Sequence, residues 1–317
     1  MTAAVTEPSG SPEPFVHPAF FYRDEQEYLG GTVPFVREAL AAGDPVAVAV
    51  PGKNLELIRD ALGDAADTVR LLDMREAGRN PGRIIPGVLR AFADAQPPGS
   101  RVRIIGEPIW AGRSDTEYAA CVQHEALINA SFQGRTVTIL CPYDVGQLPE
   151  HVLADARATH PVVISSGSDH AEDSEAYAPG DIVARYNEPL PPVPDALMFA
   201  FDSASLSQAR HVAVGEGSRH GLNGVKLDDL ALAMAELTTN SVVHGGGSGV
   251  LRVWTEDGYV VCEVRDQGRL VDPLAGRHPV PRDQRGGRGL LLVNLIADLV
   301  RVHTADSGTT VRCWFGR

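Results

Sequence analysis

Apolar and polar positions alternate with two different periods along this chain. From His17 to Leu140, short apolar runs are separated by longer amphipathic stretches. Phe20–Tyr22, Val46–Val50, Val69–Asp73, Val102–Gly106 and Thr136–Leu140 read as strands. Glu25–Ala42, Asn54–Leu62, Pro86–Ala95 and Thr116–Phe132 read as helices, with Pro34 expected to break or kink the first. Nearly continuous apolar strands alternating with helices predict a mostly parallel sheet with helices on both faces.

Beyond residue 196 the order changes. A strand at Leu197–Phe201 and a helix from Ser205 to before His220 precede a long helix over about Lys226–His244. Leu227, Leu230, Met234 and Leu237 recur on one side of that helix and mark its core face. Val250–Thr255 and Tyr259–Arg265 alternate apolar with polar residues around Asp257-Gly258, a hairpin signal. An apolar helical pattern over Leu290–Leu299 and closing strands at Val300–His303 and Thr310–Phe315 complete the set. Helices grouped against one face of an antiparallel-rich sheet predict an α/β sandwich. The resulting division is a tail over residues 1–15, a first domain over 16–164, a Ser-, Asp-, Glu- and Pro-rich linker over 165–195, and a second domain over 196–317.

Composition adds boundaries to this picture. The 317 residues suffice for two domains. Net charge is -13 and no basic run occurs, which argues against direct nucleic-acid binding. Cys121, Cys141, Cys262 and Cys313 show no Cys-x-x-Cys spacing, as expected of a reducing compartment rather than a disulfide framework or a zinc ribbon. The first residues lack an apolar signal core and no apolar run is long enough to span a membrane, so a cytoplasmic protein is expected.

Candidate chemistry concentrates in the second domain. Glu236 and Asn240 lie four residues apart and share a helix face, where a carboxylate can take a proton and a carboxamide can ligate a hard cation. Asp266-Gln267-Gly268 follows the second hairpin strand. Its aspartate can accept a hydrogen bond from an exocyclic amine, and its glycine permits close backbone approach to a flat ligand. Arg269–Arg285 reads as a long loop of the kind that forms lids, and Arg285 or Arg288 is a candidate to neutralise phosphate charge. Gly286-Gly287-Arg288-Gly289-Leu290 opens a helix, where backbone amides suit an anion, and Gly308-Thr309 starts the last strand. In the first domain, Pro51-Gly52-Lys53-Asn54 occupies a strand-to-helix turn but lacks the upstream glycine and the following hydroxyl of a phosphate loop. Trp110, His124, Glu125 and Tyr143 are candidates to line a pocket at the sheet edge.

Two resemblances rest on these residues. The order Glu236-Leu-Thr-Thr-Asn240, Asp266-x-Gly268, lid, Gly287-Arg-Gly289-Leu290, Gly308-Thr309 resembles the Bergerat-fold (GHKL, HATPase) ATP-binding domain. With His244-Gly245 and Leu290-Leu-Leu-Val293 it is similar to the anti-sigma-factor serine/threonine kinase branch. The resemblance implies ATP and Mg²⁺ as cofactors, with Asn240 holding Mg²⁺, Asp266 reading adenine and Thr309 supporting Asp266. It further implies that His244, Gly268, Gly287, Arg288, Gly289 and Leu290 line the nucleotide and that Glu236 is the general base. His17-Pro-Ala-Phe-Phe-Tyr22, Gly78-Arg-Asn80, Gly106-Glu-Pro108, His124-Glu125 and Cys141-Pro-Tyr143 resemble the MEDS sensory domain, which implies a RecA-like sheet used for sensing.

The function these likenesses imply is an ATP-dependent kinase of an anti-anti-sigma (STAS-domain) protein. It would also be able to sequester a sigma factor and to form a homodimer, under control of the front domain. The alternative is a nucleotide-gated anti-sigma module that binds its partner without phosphotransfer. A self-contained ATPase or a sensor histidine kinase fits less well, because neither a transducer domain nor a phosphoacceptor helical hairpin is legible.

Overall fold

The computed structural model describes residues 15–167, 170–279 and 287–317. Most of the expected tail, residues 280–285 of the expected lid, Arg285 among them, and Gly286 of the glycine-rich helix start lie outside the described residues. The chain forms two compact units, one of residues 1–79 and 87–186, the other of residues 80–86 and 187–317.

In the first unit, β1 (Phe15–Val16) and β2 (Pro18–Tyr22) lead into α1 (Glu25–Ala41), β3 (Val46–Val50), α2 (Gly52–Leu62) and β4 (Arg70–Asp73). Short helices α3 (Met74–Ala77) and α4 (Ala91–Asp94) precede β5 (Val102–Gly106), α5 (Asp115–Ser131), β6 (Val137–Asp144), α6 (Glu150–Thr159), β7 (Val162–Ser165), β8 (Ala171–Asp173) and α7 (Pro179–Arg185). The sheet runs β4-β3-β5-β6-β2-β7-β8. It is parallel apart from β8, which pairs antiparallel with β7 at the edge. Every residue of β3 is buried, the pattern of a strand covered on both faces. Apolar side chains of α1 and α2 pack with β2 and β3 into one core that includes Val36, Val48 and Ile58.

Two details differ from the sequence reading, and a third accords with it. Helix α1 runs unbroken through Pro34. Asp24 caps it by accepting from the Glu27 amide at 2.9 Å, and its buried residues Tyr28, Phe35 and Val36 fasten it to the sheet, so packing outweighs the lost hydrogen bond. Within the span read as a linker, Ile182 of α7 is fully buried against Val122 and Ala126 of α5. The turn at Gly52 is packed by side chains: a Cβ there would stand 2.0 Å from Arg75 Nη2 and 3.0 Å from Asp73 Oδ2. That pair fills the space where a phosphate loop would need an opening.

The second unit contains β9 (Leu197–Asp202), α8 (Leu206–Arg219), α9 (Gly224–His244), β10 (Ser248–Glu256), β11 (Tyr259–Asp266), α10 (Gly289–Ile296), β12 (Leu299–Ala305) and β13 (Gly308–Gly316). Its sheet, ordered β12-β13-β11-β10-β9, is antiparallel throughout. The hairpin between β10 and β11 turns at Asp257 and Gly258, both at positive φ (45° and 87°), as a tight primed turn requires. The three helices share one core with the sheet, in which Ala213, Leu230, Met234, Leu237, Val264, Val293 and Phe315 are buried. A charged row crosses three strands: buried Glu263 faces half-buried Arg252 on one neighbouring strand and buried Arg312 on the other. Arg312 reaches Glu263 at 2.7 Å and also donates at 2.7 Å to the Pro191 carbonyl, which ties the proline-rich segment to the sheet.

Candidate functional site

Helix α9 is the frame of the site. Leu230, Met234 and Leu237 bury its core face, and Leu227 packs half-buried against the same core. That orientation leaves Glu236 and Asn240, one turn apart, half-buried at the helix edge. Both side chains meet the backbone of Gly289, the first residue of α10. A Cβ at Gly289 would stand 2.7 Å from Glu236 Oε2 and 3.1 Å from Asn240 Nδ2. The amide-bearing start of α10 thus lies close to a carboxylate and a carboxamide, and a side chain at Gly289 would push them aside.

Asp266 ends β11 with both carboxylate oxygens engaged. Oδ2 accepts from Ser241 Oγ at 2.7 Å and Oδ1 accepts from the Gly268 amide at 2.9 Å. Ser241 follows Asn240 directly on α9, so one helix orients both the carboxamide and the aspartate. The sequence reading missed Ser241. A signal was present in the serine just after Asn240 at the end of an apolar helix, but its partner lies 25 residues onward and only the fold joins them.

Glycines let the backbones close around Asp266. A Cβ at Gly245 would lie 2.4 Å from Asp266 Cγ, one at Gly268 would lie 2.6 Å from the His244 carbonyl, and one at Gly308 would lie 2.0 Å from the Asp266 carbonyl. Gly308 also has φ of +127°, which disfavours any side chain. Thr309 is the register partner of Asp266 across β13, but its hydroxyl donates to the Gly268 carbonyl at 2.8 Å rather than to the carboxylate. It acts one step away, fixing the loop whose amide holds Asp266. Leu270 N, 3.0 Å from Thr304 Oγ1 and 3.3 Å from Thr309 Oγ1, completes this knot.

The remaining predicted residues sit around this centre. His244 ends α9 with an exposed side chain and contributes its carbonyl to the Gly268 contact. Gly287, at φ +78°, and Arg288 are exposed at the entrance of α10, and Leu290 packs half-buried against the core. Of the expected lid, Leu274–Arg277 folds as turns, with Gly276 against α10 and its carbonyl accepting from Asn294 Nδ2 at 3.0 Å.

This arrangement is suited to a purine nucleotide. A carboxylate preset by two donors can accept from an exocyclic amine, and flat glycine contacts admit a ring. A helix N-terminus beside a carboxamide offers amides for phosphate oxygens and an oxygen for the accompanying Mg²⁺.

Residues 199–315 match the histidine kinase-like ATPase domain, and residues 16–161 match the MEDS domain, the methanogen/methylotroph DcmR sensory domain. The serine-protein kinase RsbW of Halalkalibacterium halodurans is 32% identical over 110 residues, which cover 31% of this chain and 67% of that protein. The serine-protein kinase RsbW of Bacillus licheniformis is likewise 32% identical over 111 residues, covering 31% and 69%. The chain belongs to the RsbW family of histidine kinase-like ATPases. Ahead of the ATPase domain it carries the MEDS domain. Both relatives are named serine-protein kinases, and ATP is the cofactor that the ATPase domain of this chain implies. Among the described residues, no helix is long and apolar enough to cross a membrane.

The MEDS unit has a recess of its own. A cavity of about 510 Å³ opens where β2, β3, β5 and β6 end, lined by Tyr22, Tyr28, Asn54, Glu107, Trp110 and Asp144 among others. Trp110 thus lines a pocket as expected. His124, Glu125 and Tyr143 are buried elsewhere in the unit. Glu107, almost fully buried, accepts from Tyr28 Oη at 3.2 Å and from Asn54 Nδ2 at 2.9 Å. Burial pushes its carboxyl up to about 8, with the two hydrogen bonds opposing the shift and Asp144 adding to it.

Proposed function

We propose that this protein binds Mg-ATP in its second unit and phosphorylates a serine or threonine of a STAS-domain anti-anti-sigma protein. The same surface would sequester a sigma factor when the partner is phosphorylated, and the MEDS unit would set the balance. The observation that carries this reading is the convergence of Glu236 and Asn240 on the backbone of Gly289. A carboxylate, a carboxamide and a helix start lie together there, and in this reading they serve as base, Mg²⁺ ligand and phosphate site.

In this reading Asp266, held by Ser241 and Gly268, accepts the adenine amino group. Asn240 would hold Mg²⁺, which when bound supplies charge neutralisation for the phosphates. The amides from Gly287 to Leu290 would orient phosphate oxygens, and Arg288 stands beside them for developing negative charge. Glu236 would accept the proton of the attacking hydroxyl. Positioning and electrostatics dominate phosphoryl transfer, so these groups suffice in kind.

The test pairs calorimetry with phosphotransfer. Wild type should bind ATP in a Mg²⁺-dependent manner, and Asn240→Ala should abolish that dependence. Glu236→Gln should retain ATP binding while losing transfer to the partner by about 10²-fold or more. Binding without transfer in the wild type, for every STAS partner tried, would leave a nucleotide-gated binding module as the function.

A further inference from the structure

The MEDS unit buries a polar cluster that neither the recess at its sheet edge nor the nucleotide site uses. His17 lies between β1 and β2, Glu125 on α5, Cys141 on β6, and His160 at the C-terminal end of α6. All four are buried, and their donor atoms lie within 4.8 Å of one another. Nε2 of His17 and Nε2 of His160 each stand 3.2 Å from the same oxygen, Glu125 Oε2. Cys141 Sγ stands 3.4 Å from His17 Nε2. Three of the four residues come from segments that carry the MEDS resemblance, and the fold alone adds His160.

The outer nitrogen of each ring fixes where its hydrogen resides. Asn129 turns its amide nitrogen to the Ala126 and Thr159 carbonyls at 3.2 and 2.8 Å, so its Oδ1 faces His17 Nδ1 at 3.2 Å and can only accept. The Ala156 carbonyl faces His160 Nδ1 at 2.8 Å and likewise can only accept. Both rings therefore carry hydrogen at Nδ1 and turn Nε2 inward. As neutral rings they aim two lone pairs at a carboxylate oxygen. If one ring is protonated, the other lone pair still faces that oxygen. If both are protonated, two imidazoliums with centroids 4.1 Å apart share one carboxylate away from water, a costly arrangement. A cation at the centre converts each of these repulsions into a bond.

We propose that His17, Glu125, Cys141 and His160 form a closed four-ligand site for a divalent cation of the zinc class. Two imidazoles, a carboxylate and a thiolate are a borderline-soft donor set that suits zinc. Zinc bonds of about 2.0 to 2.3 Å separate tetrahedral ligand atoms by about 3.3 to 3.8 Å, close to the 3.2, 3.2 and 3.4 Å of the three contacts above, and the whole set lies within 4.8 Å. The Nδ1 contacts to Asn129 and Ala156 are those that orient metal-binding histidines. Charge also balances. Loading releases the Cys141 thiol proton to solvent, a sulfur–metal bond forms, and two anionic ligands neutralise the dication in a site without water access.

The test uses the full-length protein purified from zinc-replete cells without chelator. About one zinc per chain should survive dialysis against a weak chelator. Exchange for cobalt should give the visible bands of a tetrahedral site together with a near-ultraviolet sulfur-to-cobalt transition. Cys141→Ser should remove the sulfur transition, and His160→Gln should lower retained metal by about tenfold or more. Asn240→Ala should leave both signals intact, separating this site from the nucleotide site. Wild-type protein that takes up neither metal, or whose cobalt spectrum lacks the sulfur transition, overturns the proposal in favour of a proton-sharing His–Glu–His cluster. Persistence of that transition in Cys141→Ser overturns it equally. The wild-type spectrum decides even if the variants fail to fold.

Discussion

Gly289 shows how much a single hydrogen in place of a methyl can matter. The Cβ of an alanine there would meet Glu236 Oε2 at 2.7 Å and Asn240 Nδ2 at 3.1 Å, the ends of two half-buried side chains that would have to turn away from the positions proposed for catalysis and Mg²⁺. Gly289→Ala is expected to weaken ATP binding by at least about tenfold while the protein stays folded, as calorimetry alongside circular dichroism would show. Ser241 makes a subtler case. Its hydroxyl supports Asp266 without facing the ligand, so Ser241→Ala should remove one hydrogen bond worth about 1 kcal/mol, or roughly fivefold in ATP affinity. An unchanged Kd in Ser241→Ala would mean that Gly268 alone is enough to orient the aspartate.

At the scale of elements, periodicity carried most of the fold. The strands and helices around Val46–Val50, Asp257-Gly258 and the long helix α9 follow from patterns that a single segment contains. What escaped depended on partners distant in sequence. Helix α7 lies in a stretch whose composition is that of a spacer, and it forms because α5 presents Val122 and Ala126 to Ile182. The site divides in the same way. Glu236, Asn240 and Gly289 could be read as one motif, whereas Ser241 and the indirect role of Thr309 required the register of β11 with β13. Where the parallel strands end, Glu107 gives a prediction of its own. Its carboxyl titrates near 4.5 when unfolded and near 8 when folded, so the folded state holds the extra proton between those values. Unfolding free energy should therefore fall as pH rises through that window, by up to about 1.4 kcal/mol per pH unit, and level off above it. Urea titrations across pH should show this slope in the wild type and its loss in Glu107→Gln.

For the whole molecule, ligand linkage provides the broadest check. ATP that binds only the folded second unit stabilises it by about 2.7 kcal/mol at a hundred times its Kd. A thermal scan should show the transition of that unit rising with Mg-ATP concentration in the wild type and staying fixed in Asn240→Ala. The same stabilisation can be followed by thiol labelling. Cys262 and Cys313 face each other across β11 and β13, both buried in the core, and burial pushes both thiols far above their usual range. A thiol in that state is nearly inert to alkylating reagents until its sheet opens. The cysteine pair is thus a clock built into the ATPase unit: its labelling rate measures how often the sheet opens, and a slower rate with nucleotide would time the tightening of the fold around its ligand.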